Sequence, residues 1–167
     1  TASASEAPPN EPEIDIFKNA KTAIPISLTG YSGEVDHVLR FDLTVAGFKV
    51  VSSEESTYAV AGSNSDAVQG QVSQRATREI VLSNRRYAGG SLRAQAHHFS
   101  DDIVYAITHR PGIAQTRIAF RGEKGGNTEI YVADYDGANA VAVTSDRALV
   151  AAPCWVPGHF ALFYTSY

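Results

Sequence analysis

The sequence predicts an α/β domain followed by an all-β segment. Three observations carry this. Two stretches have apolar residues at helical spacing, and between and around them lie short β-branched runs. After about residue 112 the texture changes to short alternating strands separated by Gly-rich turns. The 167 residues suffice for one good domain, or for one small domain and part of another. With 44% hydrophobic and 19% charged residues, the composition is that of a chain able to form a core.

Residues 1–13, "TASASEAPPNEPE", are small, polar and Pro-rich and predict a flexible arm. "IDIF" at 14–17 predicts a short strand. "TAIPISLTGYSG" at 22–33 predicts a strand ending in a turn, with Pro25 pointing to an edge position or an irregularity. Val35, Val38, Leu39 and Ala46 outline a helix over 34–46, with Asp42 breaking its apolar stripe and Gly47 stopping it. Strands are expected at 48–52, 56–62, 67–73 and 78–84, with a turn near Arg75–Thr77.

The best helix pattern is at 91–110. Leu92, Ala96, Phe99, Ile103 and Ile107 recur at steps of four, three, four and four residues. Ser91 is placed to cap its start, and Pro111-Gly112 to end it. The domain boundary is expected near Gly112–Gln115. Beyond it, "TRIAF" (116–120), "TEIYVAD" (128–134), "NAVAVT" (139–144) and "FALFYTSY" (160–167) predict strands. Asp136-Gly137 supplies a tight turn between the second and third.

Charge and composition narrow the function classes. A net charge of -4, with no basic run longer than Arg85-Arg86, argues against nucleic acid as a partner. No apolar run approaches the length of a membrane-spanning helix. Cys154 is the only cysteine, so neither an internal disulfide nor a cysteine-based zinc site is available. The sequence has no methionine, which fits a processed chain, such as one from which a signal peptide has been removed, or an excised piece.

Several local patterns invite chemistry and are better read as structure. Gly30-Tyr31-Ser32-Gly33 lacks one spacer of a nucleophile elbow and is read as a turn. His97 and His98 are adjacent on a helix and diverge by about 100°, so they do not share a metal. His98, Asp101 and Asp102 stand at i, i+3 and i+4, and are read as a solvated polar face. Asp134-Tyr135-Asp136-Gly137 lacks the remaining ligands of a calcium loop. "RGEKGGNT" (121–128) lacks the end of a P-loop and is read as a hairpin loop. Tyr131, Tyr135, Trp155, Phe160, Phe163 and Tyr164 are read mostly as core. No constellation for catalysis emerges, and no catalytic residue, metal site or cofactor is assigned.

The stretch "RIAF … EIYVADYDGANAVAVTSDRALVAAPCWVPGHFALFYTSY" resembles the opening of the β-propeller in the TolB family. Blades there carry an Asp-x-Asp-Gly hairpin and a Pro-x-Trp-Ser-Pro-Asp-Gly turn. Upstream, "VDHVLRFDLTVAGF" and "RRYAGGSLRAQAHHFSDDIVYAITHRPGIAQTRIAF" are similar to helices of that family's N-terminal domain, so the resemblance covers about 14–167 in the right order. Two departures stand out. Trp155-Val156-Pro157-Gly158-His159 lacks the turn's Asp, and 51–69 is shorter than the family pattern.

The resemblance implies an anticodon-binding-like α/β domain, helices on a mixed sheet, over 14–114. It implies the first propeller blade and the first strand of the next over 115–167, a truncated array. It further implies a non-enzymatic periplasmic scaffold of the Tol–Pal cell-envelope system, supporting outer-membrane integrity, with a TolA-like inner-membrane protein and a Pal-like lipoprotein as partners. Alternatively the chain is a propeller-bearing accessory or binding domain of a peptidase or carbohydrate-binding protein. Glu13, Ile14, Asp15, Ile16 and Phe17 are the candidate protein-binding residues, because they join a polar arm to the folded domain and place Ile14 and Ile16 on one face of an extended strand.

Overall fold

A computed structural model describes residues 22–167. The expected arm at 1–13 and the short strand at 14–17 lie outside the described residues. The first unit is a five-stranded mixed sheet with two helices. Strands β1 (Ile24–Thr29), β2 (Phe48–Val50), β3 (Tyr58–Ser63), β4 (Gln69–Gln74) and β5 (Ile80–Arg86) run in the order β2-β1-β3-β4-β5. β1 pairs in parallel with both β2 and β3, and β3, β4 and β5 form an antiparallel meander.

Helix α1 (Gly33–Val45) crosses from β1 to β2. Its buried residues Val35, Val38, Leu39, Asp42 and Leu43 form one stripe at helical spacing. Glu34 and Asp36 in the first turn complement the helix dipole, and Gly47 (φ +91°) reverses the chain just past the C-terminus. Helix α2 (Leu92–Thr108) begins where expected: Ser91 Oγ accepts the amide of Ala94 at 3.2 Å. It ends before Pro111-Gly112, on His109 in the left-handed conformation.

Ala96, Phe99 and Ile103 of the expected stripe are fully buried, while Leu92 and Ile107 pack at its margins. They meet Ile26, Leu39, Leu43, Val60 and Val72 in one continuous core, whose members among the described residues come from 24–107.

The edge position expected from Pro25 is not found, because β1 has a neighbour on each side. The proline is tolerated through its level in the strand. Ile24 and Ile26 bond to the β2 side, so the missing Pro25 N–H faces the β3 side, where the β3 ladder begins one residue later with Ile26↔Tyr58.

The second unit is all-β. β6 (Arg117–Lys124) and β7 (Asn127–Asp134) form an eight-rung antiparallel ladder closed by Gly125-Gly126, both at positive φ. The loop expected over 121–128 shrinks to Gly125-Gly126, because 121–124 and 127–128 continue the paired strands. β7 continues to β8 (Val141–Ala142), shorter than the expected 139–144 strand. β9 (Val150–Trp155) and β10 (Leu162–Ser166) form a separate antiparallel pair.

β9 was not among the strands expected from the sequence, and it contains Pro153, a residue that strand interiors reject. The proline sits in a bulge. Cys154↔Phe163 and Ala151↔Thr165 flank it, so Ala152 (φ +52°) and Pro153 together oppose Tyr164. Ile130, Ala133 and Val150 are buried here. Thr128 ties the two sheets, since its hydroxyl accepts the amide of Val150 at 2.9 Å and donates to the carbonyl of Ala148 at 3.2 Å.

Candidate functional site: a polar junction between the two units

The site begins with a carboxylate in the wrong place. Asp42 occupies an apolar-stripe position of α1 and is 3% exposed. A carboxylate buried that deeply needs partners. Two come from other elements. His97 Nδ1 on α2 lies 2.9 Å from Asp42 Oδ2, and the Tyr135 hydroxyl at the end of β7 donates to Asp42 Oδ1 at 2.5 Å.

Arg93 and His97 stand one helical turn apart on α2 and so face the same way. The Arg93 guanidinium pairs with Asp136 Oδ2 and, at 3.1 Å, with Glu34 Oε1 on α1. His97 Nε2 faces the same Asp136 Oδ2 at 3.6 Å and has no hydrogen-bond partner among the described residues. Asp136 Oδ1 accepts the Ala138 amide, which fixes the turn that aims Oδ2 inward. The Tyr135 ring packs edge-on against His97 at 5.7 Å and tilted against Phe41 at 5.8 Å.

The electrostatics follow from this geometry. Burial pushes the His97 imidazole down, but the hydrogen bond and charge of Asp42, joined by the charge of Asp136, outweigh it. The net direction is up, with Arg93 opposing. Burial, then the hydrogen bond to Asp42, holds the Tyr135 hydroxyl well above the usual phenol range, so it stays a donor.

The ligand atoms of His97, Asp134 and Asp136 lie within 4.8 Å of one another, close enough for one cation. The residues do not fit that role, because the Arg93 guanidinium already sits on Asp136 Oδ2 and Asn139 donates to Asp134 Oδ2 at 2.7 Å. The cluster is an ion-pair and hydrogen-bond network that joins the units.

The residues singled out in the sequence go to different places. Glu13, Ile14, Asp15, Ile16 and Phe17 lie outside the described residues. Tyr31 donates to the carbonyl of Gln69 at 3.0 Å, and Ser32 caps α1 without a side-chain bond, so this segment is the β1–α1 turn. Asp101 takes the amides of Ala114 (2.8 Å) and Gln115 (3.2 Å) and clamps the linker between the units. Asp102 accepts from Arg85 and Tyr87, and the His98 ring lies 5.1 Å from the Tyr87 ring. The expected solvated face therefore carries three separate structural contacts.

The aromatics expected in the core divide. Tyr131 stacks on Phe120 at 5.7 Å, whereas Phe160 and Phe163 are 75% and 69% exposed. A cleft of about 670 Å³ opens between β6–β8 and β9–β10, lined by Arg117, Val132, Val141, Trp155, Phe160 and Tyr164 among others. The Arg117 guanidinium lies 5.3 Å from the Phe160 ring centre. Sequence reasoning missed the junction. Its one signal was Asp42 inside an apolar stripe, because such a residue demands a partner from elsewhere in the fold.

No protein-family model matches the chain. Curated relatives do. A Tol-Pal system protein TolB of Anaeromyxobacter dehalogenans is 27% identical over 205 residues, covering 99% of this chain and 47% of the relative. A Tol-Pal system protein TolB of Nitrosomonas europaea is 28% identical over 186 residues, covering 92% and 44%. A TolB homolog of Chlorobium chlorochromatii is 32% identical over 134 residues, covering 76% and 30%. The chain thus spans less than half the length of these relatives. The crystal structure of TolB from Acinetobacter baumannii superposes with a TM-score of 0.76 over 88% of this chain and 45% of its own, at 22% identity, a likeness of fold. Relatives named TolB in several bacteria and a TolB structural neighbour agree with the order of elements found here: the chain is TolB-like.

Proposed function

We propose that this chain is a non-enzymatic binding module of the Tol–Pal cell-envelope system, working in the periplasm through protein contacts that support outer-membrane integrity. The observation that carries this reading is the similarity, along 99% of the chain, to a protein named for that system. Among the described residues no helix is long and apolar enough to cross a membrane. The polar junction supports a holding role, since its carboxylates, imidazole and guanidinium are engaged with one another across the two units. In this reading residues 14–114 form the N-terminal α/β domain, and residues 115–167 begin a β-propeller. The partners are a TolA-like inner-membrane protein and a Pal-like lipoprotein.

Glu13, Ile14, Asp15, Ile16 and Phe17 are proposed as the TolA-like contact. An extended strand puts Ile14 and Ile16 on one face, and such a segment adds readily to a sheet edge. Among the described residues β2 and β5 are edges of the five-stranded sheet, so the segment has both its own domain and a partner to choose from. A segment able to dock in either place leaves a balance that a partner can tip.

Deleting residues 1–17 tests this. Calorimetric titration with a TolA-like domain is expected to show binding by the full chain and none by the deletion variant, whose circular dichroism stays unchanged. Unchanged affinity removes the segment from the interface. Failure of the full chain to bind either a TolA-like or a Pal-like protein removes the Tol–Pal reading itself.

A further inference from the structure

The two units share little besides the linker and the polar junction. Among the described residues the large core is built from 24–107, and Ile130, Ala133 and Val150 are buried separately in the second unit. What crosses between them is a set of side chains. Asp42 and Phe41 come from α1, Arg93, His97 and Asp101 from α2, and Asp134, Tyr135 and Asp136 from β7 and its turn.

Within that set two buried nitrogens, Arg93 Nε and His97 Nε2, have no hydrogen-bond partner among the described residues, and the second faces a carboxylate. Asp42 accepts the Tyr135 hydroxyl on one oxygen and faces His97 Nδ1 with the other, so Nδ1 carries a proton whatever the charge of the ring. A neutral His97 then presents the bare lone pair of Nε2 to Asp136 Oδ2, two acceptors facing at 3.6 Å in a site only 4% exposed. A protonated His97 presents a donor there instead. Closing to about 2.8 Å would give a charge-assisted hydrogen bond.

The charge count points the same way. Among the described residues Asp42 and Asp136 are the buried carboxylates facing the ring, and Arg93, with its side chain 15% exposed, is the cation beside them. Their charges balance when His97 is an imidazolium. They leave a net negative charge when it is neutral, and Asp134 and Glu34 at the margin only add to that excess. Arg93 cannot lose its proton to adjust.

We propose that His97, held by Asp42 and facing Asp136, is a proton-operated latch between the α/β domain and the β-segment, closed when Nε2 is protonated and loosened when it is not. The inference goes beyond the binding role above and does not rest on it.

The sign of the pH dependence is fixed by the direction in which the site moves the imidazole. The folded value is raised, with Asp42 and Asp136 overcoming burial. The protonated latch therefore contributes fully below the unfolded histidine value of about 6.5 and is lost as pH rises through the higher folded value. The junction tightens in weak acid and relaxes in weak base.

The test uses the full chain, with spin labels at the single native cysteine, exposed Cys154, and at a cysteine introduced at exposed Glu54 in the α/β domain. Distance distributions are recorded from about pH 5.5 to about pH 9, across the histidine range. Imidazole nitrogen shifts follow His97 in parallel, assigned by comparison with His97→Gln. The expected result is one narrow distribution at low pH that broadens at high pH, with its midpoint on the His97 titration. His97→Gln should abolish the change, even though the other four histidines, His37, His98, His109 and His159, remain in place. Asp136→Asn should move the midpoint down by about one pH unit.

A distribution that stays the same while His97 titrates overturns the proposal. So does a change that persists in His97→Gln. If His97→Gln does not fold, the Asp136→Asn variant decides, since a midpoint unmoved by losing that charge excludes the latch.

Discussion

Asp42 joins three elements through two oxygen atoms. It sits on α1, holds His97 of α2 and receives Tyr135 of the β7 end, 93 residues away along the chain. Removing its carboxylate leaves both partners buried with an unanswered polar group. Asp42→Ala is therefore expected to destabilise the chain by about 3 kcal/mol, the scale of breaking a buried pair from one side. Asp42→Asn keeps an acceptor of the same shape and should cost less, about 1 kcal/mol. Asp36 is the control, since it pairs with Arg40 at 2.7 Å on the exposed side of the same helix. Asp36→Ala should shift stability by less than about 0.5 kcal/mol. Urea unfolding followed by circular dichroism separates the three, and an Asp42→Ala midpoint equal to that of Asp36→Ala would mean the junction holds nothing. The sequence marks Asp42 only as a break in a stripe. What makes it a hub is the position of His97 and Tyr135 in space, which no local pattern encodes.

Elements whose order is local were legible, and α2 shows why. Its stripe, its Ser91 cap and its approximate length all follow from neighbours within a few residues. The β6–β7 hairpin is legible for the same reason, through alternation and turn residues. β9 was not, because the rule that excludes proline from strands is relaxed at a bulge, and a bulge is a property of the pair of strands. Packing between elements adds a constraint that composition does not show. Gly70 on β4 lies under α2, and a Cβ built there would fall 2.7 Å from Phe99 Cζ and 2.0 Å from the Tyr31 hydroxyl oxygen. The glycine is needed for close approach of helix and turn to the sheet. Gly70→Ala should force Phe99, which is fully buried, and Tyr31 to shift, costing about 2 kcal/mol. Thermal unfolding checks it. A melting temperature equal to the parent's would show that the helix lifts from the sheet without penalty.

At the scale of the whole molecule the shift from helical to strand patterning was legible, since every element after α2 is a strand; the large core ends near Ile107, and Asp101 clamps the segment that follows. How the second unit sits against the first was not, since that depends on long-range side-chain pairs. The two units also differ in how well they are protected. The α/β unit buries both helices and the inner strands around one core. β9 and β10 form a two-stranded sheet with the aromatic residues Phe160 and Phe163 largely in solvent. Two strands alone are marginal in water, and what steadies this pair is Val150 beneath it and the Thr128 bonds beside it. Local opening of β9–β10 should therefore cost far less than opening of the core. Amide hydrogen exchange is expected to be faster at 162–166 than at Val72 or Phe99–Ile103 by at least on the order of tenfold. Equal protection at the two places would make the chain a single cooperative unit. It would also mean that the junction transmits the stability of the α/β core through Tyr135 and Asp136 into the whole β-segment, rather than only fastening its nearest turn.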